Sequence, residues 1–427
     1  METTRPRVVI VGAGFGGLRA ARALAKAEVD VVLLDKNNYH LFQPLLYQVA
    51  VAALPPAEIA YPVRSILRTQ RNLEFRVAAV TGCDLTRRVV LTSRGDVPYD
   101  RLIVASGAAT NFFGHDDIAR HGFELKDLAS ALRLRNHLMR RFEDAVAAGD
   151  PGERARLLTI AVVGGGPTGV EVAGAVSELL RRVLARDYRA ISPNEITVVL
   201  LEAGSRVLPT MPEHLSLAAE RSLVDLGVAV RFGAVVSGFD GVAVRLADGG
   251  TIAARTLVWA AGVKAGALTK TLGVPLHRSG RVIVGPTLAV PGYPDVYVVG
   301  DAAYLETPSG PVPMLAPPAI QMGTCAARNV IHRLSGFPEE AFRYKDPGTM
   351  ATIGRSAAVV AIGDLQLRGL LAWLVWLFVH LVQLIGFRNR LVVVTDWAWQ
   401  YLFYRPASAL ILEPGPSDQR PDDPSTL

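Results

Sequence analysis

The sequence predicts an α/β fold with two similar units and an apolar helical region near the C-terminus. An apolar strand at residues 8–11 runs into a glycine-rich turn and a helix, and the same pattern recurs from residue 160. Residues 370–385 then form an apolar run that contains no charge, glycine or proline. The chain has 427 residues and is 50% hydrophobic, which suffices for two or three domains with substantial cores.

Composition narrows the function classes. The formal charge of +6 suits an anionic membrane surface, nucleotide phosphates or nucleic acid, but the basic residues are scattered and not interleaved with aromatics, which disfavours nucleic acid. Cys83 and Cys325 lie far apart without a Cys-x-x-Cys or Cys/His cluster, so neither a disulfide framework nor a metal site is predicted, and a reducing compartment fits. The apolar run at residues 8–11 ends in a glycine turn and not in a cleavage site, which favours a first strand over an export signal.

The first glycine turn has the spacing Gly-x-Gly-x-x-Gly. Gly12 permits a tight turn, Gly14 lets the backbone approach a pyrophosphate, and Gly17 lets helix and strand pack closely. The following helix, predicted at residues 18–27, offers free amides and a positive dipole to phosphates. Another strand, at residues 31–34, ends in Asp35, which can accept hydrogen bonds from ribose hydroxyls. The predicted cofactor contacts of this Rossmann-like unit are Gly12, Gly14, Phe15, Gly16, Gly17, Asp35 and Lys36.

The second turn repeats this order of elements. A strand at residues 160–163 precedes the glycines, a helix is predicted at residues 170–184, and a strand at residues 196–201 ends in Glu202 after an inserted loop. Glu202 would accept hydrogen bonds from the adenosine ribose and repel a 2′-phosphate, which favours NADH over NADPH; a solvated acid at the strand end is the alternative. The predicted contacts are Gly164, Gly166, Pro167, Thr168, Gly169 and Glu202.

A third motif, residues 294–301, is a strand ending in Gly300 and Asp301. It resembles the segment by which two-dinucleotide flavoprotein reductases bind the ribityl chain of FAD through an aspartate; a turn or helix cap is the alternative for Asp301. The resemblance implies a glutathione-reductase-like architecture, with FAD at the first turn and NADH at the second. Two further strands, at residues 102–106 and 257–261, are similar to the closing strands of such units, and the contacts predicted there are Ala105, Ser106, Gly107, Ala261 and Gly262.

Two more stretches identify the nearest family. The loop at residues 38–50, which includes Pro44 as a predicted cofactor contact, closely resembles a loop of type II NADH:quinone oxidoreductases. Residues 316–321 resemble that family's quinone motif, Ala-Gln-x-Ala-x-Gln, except that Pro317 replaces the first glutamine. The resemblance spans Arg7 to about Ile411. It implies quinone contacts at Ala316, Pro317, Ile320 and Gln321.

Two of these residues have a structural alternative beside the functional one. Prolines 317 and 318 suit the first turn of a helix because they lack amide hydrogens, and Gln321 on that helix could merely cap or bridge backbone. Glu171 lies in the first turn of the second unit's helix, where the macrodipole stabilises an acid whatever its role. The family resemblance implies that Glu171 and Gln321 take part in catalysis, with Glu171 in proton delivery or substrate contact.

The C-terminal region is the most apolar part of the chain. Residues 370–385 would span about 24 Å as a helix, short of a bilayer's hydrocarbon core of about 30 Å. Residues 391–404 form a second apolar stretch, and four of the five tryptophans lie in this final quarter. We expect a platform that docks on a membrane surface, with a dimer interface or a buried core helix as alternatives. His380 is expected to be a packed histidine and not a metal ligand.

The predicted domains follow the order of these motifs. Residues 1–112 and 285–335 form the FAD-binding domain, 113–284 the NADH-binding domain with a leading helix at residues 125–148, 336–412 the docking region and 413–427 a disordered tail. The resemblance implies hydride transfer from NADH to FAD and then to a membrane quinone, without proton pumping, at the cytoplasmic face of the membrane. A soluble NADH:acceptor reductase and a flavin-bearing redox sensor are the alternatives, and a homodimer is compatible with the sequence.

Overall fold

The computed structural model describes residues 5–403 and 410–411, so the predicted tail at residues 413–427 lies outside the described residues. The chain divides into two compact units. The first comprises residues up to Leu41, Ala60–Thr110 and Val263–Pro347. The second comprises Phe42–Ile59, Asn111–Gly262 and the chain from Gly348 onward. The units therefore differ from the predicted domains, because residues 42–59 belong to the second unit and residues 263–284 to the first.

Within the described residues, the helices are shorter than 17 residues except for three. In chain order they are α1 Phe15–Ala23, α2 Leu46–Ala50, α3 Pro56–Ile59, α4 Val63–Leu67, α5 Asp116–His121, α6 Leu128–Ala147, α7 Pro151–Leu157, α8 Pro167–Glu178, α9 Ala185–Asp187, α10 Glu213–Asp225, α11 Ala316–Leu334, α12 Leu370–Gln383 and α13 Phe387–Phe403. A π-helical segment, Leu179–Leu184, continues α8.

The strands, in chain order, are β1 Arg7–Val11, β2 Asp30–Asp35, β3 Tyr39–Leu41, β4 Ala60–Pro62, β5 Leu73–Val77, β6 Val80–Asp84, β7 Val89–Thr92, β8 Val97–Pro98, β9 Arg101–Val104, β10 Ala108–Thr110, β11 Phe123–Glu124, β12 Thr159–Val163, β13 Thr197–Leu201, β14 Val228–Arg231, β15 Val236–Phe239, β16 Ala243–Leu246, β17 Thr251–Ala253, β18 Thr256–Trp259, β19 Val263–Ala265, β20 Val282–Ile283, β21 Ala289–Val290, β22 Tyr293–Val298, β23 Ala303–Tyr304, β24 Glu306–Thr307, β25 Gly310–Pro311, β26 Thr349–Gly354, β27 Ala357–Ile362 and β28 Leu365–Arg368.

The first unit is built on a six-stranded sheet in the order β21-β22-β9-β1-β2-β5. Its central strands are parallel, and Val9 of β1 lies opposite Val32 of β2 and Leu102 of β9. Val8, Val9 and Ile10 are fully buried, as expected for a parallel sheet covered on both faces. Ligands of such sheets bind at the carboxyl ends of the strands, which is where the first glycine turn follows β1.

The second unit contains a five-stranded parallel sheet in the order β11-β18-β12-β13-β14. The middle strand β12 is buried along its whole length, because β13 and β18 pair with it on either side. The predicted α/β fold with two Rossmann-like units is therefore confirmed. Helix α6 begins three residues later than predicted, because Asp127 caps it and accepts a hydrogen bond from the Ser130 amide.

The helix after the second glycine turn differs from the prediction of one α-helix. Helix α8 ends at Glu178 and continues as the π-helical segment, a rare form that often occurs at functional sites. On its other side α8 packs closely on β26, since a Cβ added at Gly174 would lie 2.2 Å from the Ile353 carbonyl oxygen. A side chain at that position would force the helix and the strand apart.

The C-terminal region folds as a hairpin sheet, β26-β27-β28, followed by α12 and α13. Helix α12 ends before Ile385, and Gly386, with φ of +94°, separates it from α13. Helix α12 buries Ala372 and Trp376 and exposes half of its other large apolar side chains. Within the described ranges, no helix combines the length and the hydropathy needed to cross a membrane.

Candidate active site

The first glycine turn has the geometry of a phosphate cradle. Gly12 has a φ of +99°, and a Cβ at Gly17 would lie 1.8 Å from the Gly12 carbonyl oxygen, so both positions require glycine. Helix α1 begins at Phe15 without a side-chain cap, and a Cβ at Gly14 would meet open space. The amides at the start of α1 therefore have no side-chain cap and are available to an anion.

Asp35 and His40 hold the turn from two sides. Asp35 accepts hydrogen bonds from the amides of Ala13 at 2.6 Å and Asn37 at 2.8 Å, and burial raises the pKa of its carboxyl. The His40 Nδ1 lies 2.9 Å from the Ala13 carbonyl oxygen, and its ring meets Phe15 edge-on. His40 fixes one peptide of the cradle and was not singled out by the sequence, although it lies within the family-like loop at residues 38–50.

The predicted closing strand and the Gly-Asp motif lie in the same unit. The Ser106 Oγ is buried and has no hydrogen-bond partner among the described residues, which fits a polar group of a bound cofactor. Gly300 has a φ of +65°, and Asp301 lies beside it in a single 3₁₀ turn after β22. The buried guanidinium of Arg281 donates to the carbonyls of Ala303 and Val312, and its positive charge acts on Asp301.

Four other predicted contacts of the first site lie in different surroundings. Lys36 is exposed, and Gly107 follows β9 with a φ of +69°. The Ala105 carbonyl approaches the turn so closely that a Cβ at Gly12 would lie 2.4 Å from it. Pro44 lies in a short 3₁₀ helix of the second unit and not in the first.

Helix α11 begins at Ala316 with prolines 317 and 318 in its first turn, which confirms that prediction. The Gln321 side chain donates from Nε2 to the Lys345 carbonyl at 2.8 Å and accepts at Oε1 from the Lys345 amide at 3.0 Å. Gln321 thus bridges backbone, the structural alternative named above, although its amide retains one proton and one lone pair. Pro317 and Ile320 are half-buried near the start of the helix.

The second glycine turn repeats the geometry of the first. Gly164 has a φ of +108°, and a Cβ at Gly169 would lie 1.8 Å from the Gly164 carbonyl oxygen. Gly166 precedes the uncapped start of α8 and faces open space, while Pro167 and Thr168 are exposed beside it. The amides at the start of α8 are therefore available to a second nucleotide.

Glu202 occupies the position that Asp35 has in the first unit. It accepts hydrogen bonds from the amides of Gly165 and Gly204, the latter at 2.6 Å. The second closing strand, β18, leads into Ala261 and Gly262, and a Cβ at Gly164 would lie 3.0 Å from the Ala261 Cα. The structure thus brings the predicted residues of this turn together on one edge of the sheet.

A cavity that opens to solvent lies within the second unit and measures about 880 Å³ when its open mouth is included. Its lining includes Glu171 and Glu178 of α8, Tyr47 and Gln48 of α2, Trp376 of α12 and Trp397 of α13. Short helices from residues 42–59, the helix of the second glycine turn and the C-terminal region therefore meet around one space. The sequence predicted Glu171 here but not α2 or the tryptophans.

Glu171 is desolvated although part of its side chain faces the cavity. Burial raises the pKa of its carboxyl to about 8, while a hydrogen bond from the Thr352 backbone and the nearby Trp376 side chain favour the charged form more weakly. The Trp376 Nε1 itself has no hydrogen-bond partner of ordinary geometry among the described residues. A carboxyl with such a pKa carries a proton at neutral pH and can release it to a substrate.

A chain of hydrogen bonds ties the C-terminal region to this cavity. The Trp397 Nε1 donates to Gln48 Oε1 at 2.8 Å, and Gln48 Nε2 donates to the Tyr47 hydroxyl at 2.9 Å. His380 stacks on Trp376 at 4.1 Å between ring centroids, and burial lowers the pKa of its imidazole to about 4. His380 is thus a packed, neutral histidine, as expected.

Comparison with known proteins agrees with this geometry. A family model described as pyridine nucleotide-disulphide oxidoreductase matches residues 6–323, and one described as NDH2 C-terminal domain matches residues 347–406. The type II NADH:quinone oxidoreductase NdhA of Mycobacterium tuberculosis is 43% identical over 93% of this chain and 87% of its own. The chain belongs to the type II NADH:quinone oxidoreductase family.

Other relatives extend the comparison. The type II NADH:quinone oxidoreductase of Staphylococcus aureus (strain MSSA476) is 30% identical over 86% of this chain and 92% of its own. The structure of NDH2 from Plasmodium falciparum in complex with NADH covers 94% of this chain and 99% of its own, with a TM-score of 0.87 and 21% identity. The sulfide:quinone oxidoreductase of Aquifex aeolicus shares the fold with a TM-score of 0.72 at 16% identity.

Type II NADH:quinone oxidoreductases are FAD enzymes that use NADH, and the residues of this chain fit both groups. Each unit supplies an uncapped helix start behind a glycine turn and an acid anchored to the turn's amides. The buried, unpartnered Ser106 hydroxyl adds a polar contact in the first unit. The predictions of family, fold, activity and cofactors are confirmed, whereas the role of each site residue stays a prediction.

Proposed function

We propose that this chain oxidises NADH, passes the electrons through FAD and reduces a membrane quinone without pumping protons. The observation that carries the proposal is the cavity along α8. The helix whose start is a nucleotide cradle also bears Glu171, which holds a proton at neutral pH. When bound, FAD accepts hydride from NADH and delivers electrons to the quinone.

We assign FAD to the first glycine turn and to residues 1–112 and 285–335. Asp35 would contact the adenosine ribose, and the amides at the start of α1 would hold the pyrophosphate. Asp301 would bind the ribityl chain. Support comes from the open space at Gly14 and the unpartnered Ser106 hydroxyl.

We assign NADH to the second turn and to residues 113–284. Glu202 lies at the end of β13, where it would accept the ribose hydroxyls and repel a 2′-phosphate. Its two oxygens already hold the turn's amides, so the carboxylate is fixed before the nucleotide arrives. Selectivity for NADH over NADPH follows from this fixed negative charge.

We assign quinone protonation to Glu171 and quinone contact to Gln321 with Ala316, Pro317 and Ile320. Glu171 is the stronger assignment because it faces a cavity and its carboxyl is protonated at neutral pH. Gln321 contributes one remaining amide proton, since its other contacts anchor Lys345. Pro317 supplies no hydrogen bond where the family motif has a glutamine, so Gln321 is the main polar contact of this motif.

One anaerobic titration tests the reaction sequence. NADH added to the purified protein should bleach the flavin spectrum, and a water-soluble quinone should restore it. A redox sensor would bleach and recover once but would not consume NADH continuously. A reductase of another acceptor would bleach with NADH and stay bleached with the quinone, and that result would overturn the proposal.

We further propose that residues 336–412 dock on the cytoplasmic face of a membrane. Helix α12 exposes Leu371 to 65% and Phe378 to 66%, although both are large apolar side chains that a soluble surface rarely presents together. Leu370, Leu374 and Val382 of the same helix are also about half exposed. Such a face suits the interface region of a bilayer.

The double substitution Leu371→Asp and Phe378→Asp tests docking. Binding to anionic phospholipid vesicles should fall at least about tenfold, because two charges would enter an apolar layer, while turnover of a water-soluble quinone stays unchanged. Unchanged vesicle binding would refute docking through α12. If this face instead joins two copies, the variant shifts the sedimentation coefficient from dimer to monomer.

A further inference from the structure

A second carboxyl lines the same cavity as Glu171. Glu178 follows Glu171 by seven residues on α8, which is about two helical turns and about 10 Å along the axis. Ala175, between them on this face, also lines the cavity and leaves space because its side chain is small. The cavity therefore runs along one stripe of α8 and connects the two carboxyls.

Glu178 lies at the solvent side of this stripe. Arg182, in the π-helical segment, also lines the cavity, and its side chain is 45% exposed while that of Glu178 is 13% exposed. The two side chains are 3.7 Å apart. Exposure thus increases from Glu178 to Arg182, which is the end of the stripe where protons from solvent would enter.

The surroundings of Glu178 act on the pKa of its carboxyl in opposite directions. Its Oε2 accepts a hydrogen bond from the Arg355 amide at 3.1 Å, while its buried Oε1 makes no hydrogen bond among the described residues. Burial raises the pKa of Glu178, and the charges of Arg355 and Arg182 oppose the rise. The other titratable groups on the cavity, Glu171 and Tyr47, add negative charge only when they ionise.

Quinone reduction by NADH consumes a proton from solution, according to NADH + H⁺ + Q → NAD⁺ + QH₂. Glu171 becomes a carboxylate when it protonates the quinone and must regain a proton before the next turnover. Because Glu171 faces the cavity, this proton must arrive through that space.

We propose that Glu178 is the proton-entry residue of this enzyme, taking protons from solvent beside Arg182 and passing them through water in the cavity to Glu171. The inference rests on the proposed role of Glu171 in quinone protonation. Each transfer breaks one O–H bond and forms another, so no further reactant is needed. Glu178 acts through Glu171 and is a positioning residue that does not touch the quinone.

The test is Glu178→Gln in the full-length holoenzyme, assayed with a water-soluble quinone from pH 6 to pH 9. The kcat should fall by about tenfold at pH 8.5 and by less at pH 6, because proton supply limits the rate where protons are scarce. The KM values for NADH and quinone, and the rate of flavin bleaching by NADH, should not change. Glu178→Asp should recover part of the rate.

Two controls separate a relay from a structural role. Glu213→Gln, an exposed acid on α10 of the same unit, should leave the pH profile unchanged. Glu178→Ala should regain turnover as acetate is added at constant pH, because a small acid can enter the space left by the side chain. A pH-independent loss without recovery by acetate would show that Glu178 only packs, and would overturn the proposal.

The comparison with Glu171→Gln distinguishes the two levels of inference. If Glu171→Gln slows quinone reduction and Glu178→Gln does not, the relay is wrong and the proposed function stands. If neither variant slows it, the role of Glu171 is wrong and the relay falls with it. The anaerobic titration continues to test the overall reaction in either case.

Discussion

The two glycine turns of this chain are nearly identical in backbone geometry, yet the helices that follow them differ. One packs against another helix, and the other lines a cavity. Gly17 and Gly169 each stand where a Cβ would lie 1.8 Å from the carbonyl oxygen of the turn's first glycine. Helix α1 then packs on α11 so tightly that a Cβ at Gly323 would lie 2.2 Å from the Gly16 carbonyl oxygen. Helix α8 instead presents Glu171 and Glu178 to a cavity.

This difference separates the binding of a nucleotide from the chemistry beside it. The turn needs only backbone amides and glycines, so both units keep it unchanged. The helix face after the turn is free to pack or to carry protons. The first unit uses that face for rigidity and the second for acid groups, and the following predictions test this division of roles.

The largest effects on cofactor binding should come from the substitutions Gly17→Ala and Gly169→Ala. Because each Cβ would overlap a backbone oxygen, we expect a cost of about 1–3 kcal/mol or more at the affected cradle. Gly17→Ala should purify with little or no flavin. Gly169→Ala should stay yellow but need at least about tenfold more NADH for half-saturation.

Absorbance at the flavin band and NADH titration measure these two outcomes. Gly149→Ala, an exposed glycine whose Cβ would meet open space, is the control. Loss of flavin from Gly169→Ala, with flavin retained in Gly17→Ala, would reverse the assignment of the two turns.

Glu171→Gln should lower quinone turnover by about tenfold to a hundredfold without slowing flavin reduction by NADH. In the unaltered enzyme the protonated carboxyl is the donor, so turnover should decline as pH rises through about 8. Stopped-flow mixing of the reduced enzyme with quinone measures this step alone. Equal losses of flavin content and turnover would mean that Glu171 only supports the fold.

Glu202→Gln should lower the preference for NADH over NADPH by about tenfold, because the negative charge that repels the 2′-phosphate is removed. The amide oxygen can still accept from a turn amide. The ratio of kcat/KM for NADH and NADPH reports the change. Asp35→Asn in the first unit should leave this ratio unchanged, and a shift there would contradict the assignment of the turns.

The smallest effect concerns stability. Burial raises the Glu171 pKa from its ordinary value of 4.5 to about 8, so the folded chain binds this proton more tightly than the unfolded chain. The stabilising contribution is complete below about pH 4.5 and is lost as pH rises through about 8. Glu171→Gln should therefore gain Tm relative to the unaltered chain, by roughly 2–4 °C between pH 5 and pH 9. A constant Tm difference over that range would contradict the desolvation of Glu171.

Strands and helix starts could be predicted because the residue types that determine them lie within a few positions of each other in the sequence. The strands before both turns were predicted to within a residue, since continuous apolar runs favour buried parallel strands. The prolines at the start of α11 were equally clear from their missing amides. The end of α8 was not, because periodicity does not distinguish an α-helix from a π-helical continuation.

The cavity depended on contacts between distant parts of the chain. Trp397 and Gln48 are separated by 349 residues, and neither local sequence predicts the hydrogen bond between them. The sequence alone did not single out Glu178 as a functional residue. Its proposed role depends on the cavity that it lines together with Glu171. Gln321 is the opposite case. The sequence predicted it as a functional residue, but in the structure its side chain is hydrogen-bonded to the Lys345 backbone.

By itself, the sequence determined the two glycine cradles, their acids and the apolar C-terminal helices, because φ values, helix starts and burial periodicity are set by neighbouring residues. Only the tertiary structure decided that residues 42–59 join the second unit and that α2, α8, α12 and α13 enclose one cavity. The proton affinity of Glu171 arises from that enclosure. Desolvation is a property of everything packed around a group, and no short stretch of sequence encodes it.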